Sequence, residues 1–177
     1  TARYYSGIYY LAHPDTGSNT YSLQWRDGGS AGIANGARVT LAVFQGVDQS
    51  TPMSSGATAT GTATSSSVAV TTVAGDGVVS VITTSDGSVT VGADQTTFDS
   101  TALTNAESAA SYEDATTTTT TMSYSFGASE TFNHSTGIVN PSSASVGLDL
   151  IQHKTNLVAL IGSSDDHLTY TSTDGVT

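Results

Sequence analysis

Thr116-Thr117-Thr118-Thr119-Thr120-Thr121-Met122-Ser123-Tyr124-Ser125-Phe126 decides the fold class. Threonine branches at Cβ, which stiffens the side chain and favours extended backbone. The run passes directly into Met122, Tyr124 and Phe126 alternating with Ser123 and Ser125, the period of a strand with one face on a core. The threonines read as the exposed start of that strand, with heavy O-glycosylation of the run as the competing reading.

The same period recurs outward from this stretch. Tyr21, Leu23 and Trp25 alternate with Ser22, Gln24 and Arg26, while Val39, Leu41 and Val43 share one strand face. Val68 and Val70, then Val78, Val79, Val81 and Ile82, mark two strands separated by Ala74-Gly75-Asp76-Gly77. Turn chemistry punctuates the chain at Pro14-Asp15-Thr16-Gly17, Asp27-Gly28-Gly29, Asn35-Gly36, Ser85-Asp86-Gly87 and Asp174-Gly175. No convincing 3.6-residue apolar repeat competes; residues 102–110 are the one stretch with room for a short helix. The pattern predicts an all-β chain, a jelly-roll-like antiparallel β-sandwich of about ten to twelve strands.

Composition bounds what such a fold can do. The chain has 177 residues, enough for one domain, and about a third are serine or threonine. Fifteen acids against four Lys plus Arg give a net charge of −11. Nucleic acid is excluded as a partner because phosphate binding needs clustered cations, and Arg3, Arg26, Arg38 and Lys154 stand apart. An anionic membrane surface is disfavoured for the same reason. Membrane insertion is not expected either: the longest apolar run, Leu157-Val158-Ala159-Leu160-Ile161, is strand-length and far short of the ~20 residues of a spanning helix. Without cysteine there is no disulfide or thiolate site. The chain opens on Thr1, which reads as a processed product or a segment of something longer.

Catalytic signatures are missing: no Gly-x-Ser-x-Gly elbow, no Ser-x-x-Lys, no His-Glu-x-x-His, no phosphate-cradling glycine loop. Glu113 and Asp114 are adjacent, so on a strand they face opposite ways and cannot act together on one bond. Asp165, Asp166 and His167 form the one compact acid-plus-imidazole cluster; they read first as solvated turn residues, with a divalent cation as the weaker reading. Asp27, Asp76 and Asp86, each beside glycine, are turn-formers without calcium-loop spacing. No cofactor is expected. His13 and His153 are isolated imidazoles. Tyr4, Tyr5, Tyr9, Tyr10 and Trp25 are candidate sugar-stacking platforms. Asn133-His134-Ser135 is an N-glycosylation sequon, so Asn133 and Thr116, Thr117, Thr118, Thr119, Thr120 and Thr121 are the glycosylation candidates.

Two stretches carry a resemblance. Ile8-Tyr9-Tyr10-Leu11-Ala12-His13-Pro14-Asp15-Thr16-Gly17 and Ala42-Val43-Phe44-Gln45-Gly46-Val47-Asp48-Gln49-Ser50-Thr51-Pro52 resemble β-sandwich domains that recur, often in tandem, in bacterial and phage surface proteins. A late strand, Thr136-Gly137-Ile138-Val139-Asn140-Pro141, fits as well. In the resembled domains, strands like Asn156-Leu157-Val158-Ala159-Leu160-Ile161-Gly162 and His167-Leu168-Thr169-Tyr170-Thr171 come first; here they come last. The resemblance thus implies a division into residues 1–145, the main sandwich, and residues 146–177, strands able to complete a neighbouring subunit or repeat. Three readings follow: a piece of a tandem array, a circular permutant, or a subunit whose tail completes its neighbour.

Leu157-Val158-Ala159-Leu160-Ile161 is apolar on both faces and suits a central, doubly covered strand. Left free it would be an aggregation hazard. Donated to a neighbour, it would use Leu157, Val158, Leu160, Ile161, Leu168 and Tyr170 to fill the acceptor groove, and head-to-tail contacts of that kind build filaments. The expected function is a non-enzymatic structural subunit of an extracellular or cell-surface filament, self-assembled head-to-tail. The alternative is a carbohydrate- or receptor-binding module of a phage or bacterial surface protein, the virion surface being the other location.

Overall fold

A computed structural model describes residues 4–14, 20–27, 30–31, 37–54, 56–85, 88–103, 106–142, 156–163 and 168–172. All regular structure among them is strand. In chain order these are β1 (Tyr5–Leu11), β2 (Tyr21–Asp27), β3 (Ser30–Ala31), β4 (Ala37–Phe44), β5 (Met53–Ser54), β6 (Thr58–Thr71) and β7 (Gly77–Thr84). There follow β8 (Val89–Val91), β9 (Thr96–Leu103), β10 (Ala106–Asp114), β11 (Thr119–Val139), β12 (Asn156–Ser163) and β13 (Leu168–Ser172). Every pairing is antiparallel. The expected all-β fold is present.

The stretch with room for a short helix is strand wherever it is described. Residues 102–110 cover the end of β9 and the start of β10, which pair with each other at Ala106↔Leu103. Helix-favouring alanines yield because β10 is bonded on both edges, to β7 and β9, and Ala106, Ala109 and Ala110 are buried. Small side chains at a crowded layer junction outweigh local propensity.

β11 is the organising strand. Tyr124 and His134 are ten residues apart, which would be ~33 Å along a straight strand, yet their rings meet edge-on with centroids 5.0 Å apart. Phe126 likewise meets Phe132 at 5.6 Å. The strand therefore doubles back, and its pairing with β6 shifts register at the bend, between Ser125 and Glu130. The bend is tied to the segment after β7: Ser85 N–H donates to Thr131 O (2.9 Å), Ser85 Oγ–H to Glu130 Oε2 (2.5 Å), and Gly127 N–H to Ser88 O (3.2 Å).

Doubling back makes β7 the innermost strand, buried at all eight positions. Val79 and Val81 join Ala42, Phe44, Ala110, Tyr112 and Val139 in one apolar cluster, to which Ile8 of β1 adds. Val78 and Ile82, on the alternate face, belong to two further clusters with Val70, Met122 and Ile138 and with Tyr124, Phe126 and Phe132. β7 thus sits between β1 and β4 on one side and the folded-over half of β11 on the other. Arg38 of β4 clamps this stack, donating from Nε to Asp99 Oδ2 of β9 at 2.5 Å and pairing through its second nitrogen with the other carboxylate oxygen. Thr40 Oγ1 adds a bond to the same carboxylate (3.0 Å).

Candidate functional site

β1 and β4 do not pair with each other; both pair with β12, in the order β1-β12-β4. The ladders run over seven residue pairs with β1, from Tyr5↔Ser163 to Leu11↔Leu157, and eight with β4, from Asn156↔Phe44 to Ser163↔Ala37. Between them lies a slot one strand wide, floored by β7 and β10, which β12 also touches. Here the tail of the chain fills it. Strands from either side of residue 145 therefore share one sheet.

Register separates the apolar residues of this strand. Val158 pairs with Tyr10 and Ala42, and Leu160 with Ile8 and Thr40. On β4 this row runs through buried Ala42 and Phe44, and on β1 it runs from buried Ser6 to Tyr10. Leu157 and Ile161 lie on the alternate rows, with Leu11 and Val43 and with Gly7 and Val39. On the alternate face of β4, Leu41 is 53% exposed. Leu168 and Tyr170 are in β13, opposite Trp25 and Leu23 of β2.

The outer face of β1 has a feature of its own. A Cβ on Gly7 would lie 3.1 Å from ring carbons of both Tyr5 and Tyr9, so the two rings close over the glycine. Their hydroxyls are 3.1 Å apart. Burial and the neighbouring Tyr5 hydroxyl raise the Tyr9 pKa, keeping the phenol neutral. The pair makes a half-buried aromatic plate at the surface. Tyr10 is 52% exposed and projects from a different row.

The arrangement closest to catalytic chemistry lies within the fold. Ser80 Oγ is 2.8 Å from His134 Nε2, the spacing of a serine and its base, and Ser66 Oγ is 2.9 Å from Nδ1. Both serines and the histidine are buried, so a substrate has no approach. Burial lowers the His134 pKa to about 4, leaving a neutral imidazole that donates to one serine and accepts from the other. Ser66 and His134 belong to opposite halves of the doubled-back ribbon, so the histidine is a polar pin between them. Tyr124, raised to about 12 by burial, shares its hydroxyl with Ser111 (2.8 Å). Sequence reasoning missed this pin, although His134 falls on the inward period of Phe132 and Ile138.

The other candidates are scattered. Asn133 lies mid-strand, accepting from Ser6 Oγ at 2.6 Å, with His134 and Ser135 buried beside it. Thr116, Thr117, Thr118, Thr119 and Thr121 are exposed, whereas Thr120 is buried with its hydroxyl 3.1 Å from that of Thr72. Asp165, Asp166, His167, His153 and Asp86 lie outside the described residues. Asp76 accepts the Val73 N–H (2.8 Å) within its turn, as a turn-former should. Among the described residues no three His, Cys, Asp or Glu side chains gather to hold a metal ion. Family models, curated proteins and solved structures give no match to the chain.

Proposed function

We propose that the chain is a non-enzymatic structural subunit of an extracellular or cell-surface filament, joined head-to-tail to copies of itself through β12 and β13. The observation that carries this reading is the slot: β1 and β4 have β12 as their one described strand partner. Sixteen residues separate the end of β11 from the strand that fills it. Backbone ladders do not depend on which copy supplies the strand, so the two ladders could equally be made by the tail of the next copy. Exchange of the tail in one direction leaves an empty slot at one end and a free tail at the other, which is an open chain of subunits.

The cysteine-free sequence allows a direct test. Tyr9 and Ala159 are register partners, close enough for a disulfide. Chains carrying Tyr9→Cys and Ala159→Cys together, oxidised under assembly conditions, should give a ladder of covalent multimers. A single intramolecularly bridged species would identify a self-complemented unit and overturn the reading.

A second reading, a carbohydrate-binding module, has the Tyr5–Gly7–Tyr9 plate in its favour, since flat aromatic surfaces stack on the apolar faces of sugar rings. Tyr5→Ala with Tyr9→Ala should then abolish retention on a glycan gel while leaving assembly intact.

A further inference from the structure

β6 is fourteen residues long. One edge is bonded to β11 along both halves of the ribbon; no described strand pairs with the other. Outward N–H and C=O groups along such an edge are a template for another strand, and proteins ordinarily blunt them with charge, proline or brevity. The opposite edge of the sheet is guarded in that way. β9 has eight residues, and its Asp99 is fastened to Arg38 and Thr40 of β4.

β6 has none of these devices. It contains no proline, and residues 49–75 include no ionisable side chain. On a chain of net charge −11, this is where two copies can approach without bringing like charges together. Residues 65–71 are the suited half. Ser65, Ser67, Ala69 and Thr71 are exposed and small, leaving room for a second strand. Val68 and Val70 are buried, which holds the backbone extended before any partner arrives and limits the entropy lost on pairing.

We propose that residues 65–71 of β6 pair antiparallel with the same residues of a second copy, across a two-fold axis. Such a contact is isologous and closed, so it joins two copies side by side and does not lengthen a chain of subunits. It does not rest on the head-to-tail reading; in a filament it would join neighbouring filaments laterally.

The experiment uses the full chain. Sedimentation velocity over a wide concentration range should show a reversible dimer. Hydrogen exchange over residues 65–71 should slow as protein concentration rises. Ser67→Lys with Ala69→Lys places four cations together at the two-fold and should weaken association at least tenfold, although it lowers the net negative charge and so reduces general repulsion. Thr90→Lys, exposed on β8 and separated from β6 by β11, should leave association unchanged. A monomer at every concentration overturns the proposal. So does protection of the outward amides that is independent of concentration, because another segment of the same chain would then cover the edge. Association indifferent to the double lysine change also overturns it, by placing the contact elsewhere. If the lysine variants lose their near-ultraviolet circular dichroism, the concentration dependence of exchange in the unaltered chain decides.

Discussion

Lowering the pH from 7 to 4 should unlock the His134 pin. The imidazole is held neutral between Ser66 and Ser80 with its pKa lowered to about 4, against an ordinary value of 6.5. Between those values the unfolded chain binds a proton that the native chain refuses. The contribution is therefore complete above pH 6.5, shrinks as pH falls, and is gone once pH passes about 4. At ~1.36 kcal/mol per pH unit the loss comes to about 3 kcal/mol, a large share of an ordinary domain's stability. Asp48 and Asp99, held below the usual carboxylate value by hydrogen bonds and by Arg38 respectively, lose their contributions only at lower pH. Glu113, raised by burial and the nearby Asp94, works in the opposite direction. Urea unfolding at closely spaced pH values, followed by near-ultraviolet circular dichroism, should give a slope between pH 6.5 and 4 that His134→Gln flattens. A titration of the His134 ring by nuclear magnetic resonance with a midpoint near 6.5, or identical slopes in both proteins, would refute the argument.

Three further outcomes test the packing. Gly56→Ala would set a Cβ 1.7 Å from the Thr136 carbonyl oxygen and should destabilise by ~1–3 kcal/mol. Gly61→Ala, whose Cβ would rest 3.5 Å from the Phe132 ring, should stabilise by the ~0.5–1 kcal/mol that alanine gains over glycine inside a strand, read as a raised melting temperature. Arg38→Ala leaves Asp99 with Thr40 as its side-chain partner; it should cost ~1–2 kcal/mol at pH 7 and reduce the acid sensitivity seen below pH 4.

Alternation made the strands legible because it is a local property. Met122, Tyr124 and Phe126 face inward and Thr121 and Ser125 outward, as a period of two demands. The turn at Ala74-Gly75-Asp76-Gly77 separates β6 from β7, with Gly75 at φ 100° and Asp76 closing the loop. Period says nothing about which faces meet. The doubling back of β11 depends on a three-residue shift of register and on Ser85 bonding across it, and neither leaves a compositional mark among so many serines, glycines and alanines. The same limit hid the pin, since a lone histidine becomes meaningful only once Ser66 and Ser80 arrive from two other strands.

Full cover does not require an unbroken apolar run like that at residues 157–161. β7 is buried at all eight positions, with Val78, Ser80 and Ile82 facing one set of clusters and Val79 and Val81 the other. β7 tolerates Ser80 and Thr83 in the interior because partners are at hand, His134 for the first and the Tyr5 carbonyl for the second (3.1 Å). β12 is by sequence the more apolar of the two strands, and its partners, β1 and β4, are joined by no other described strand.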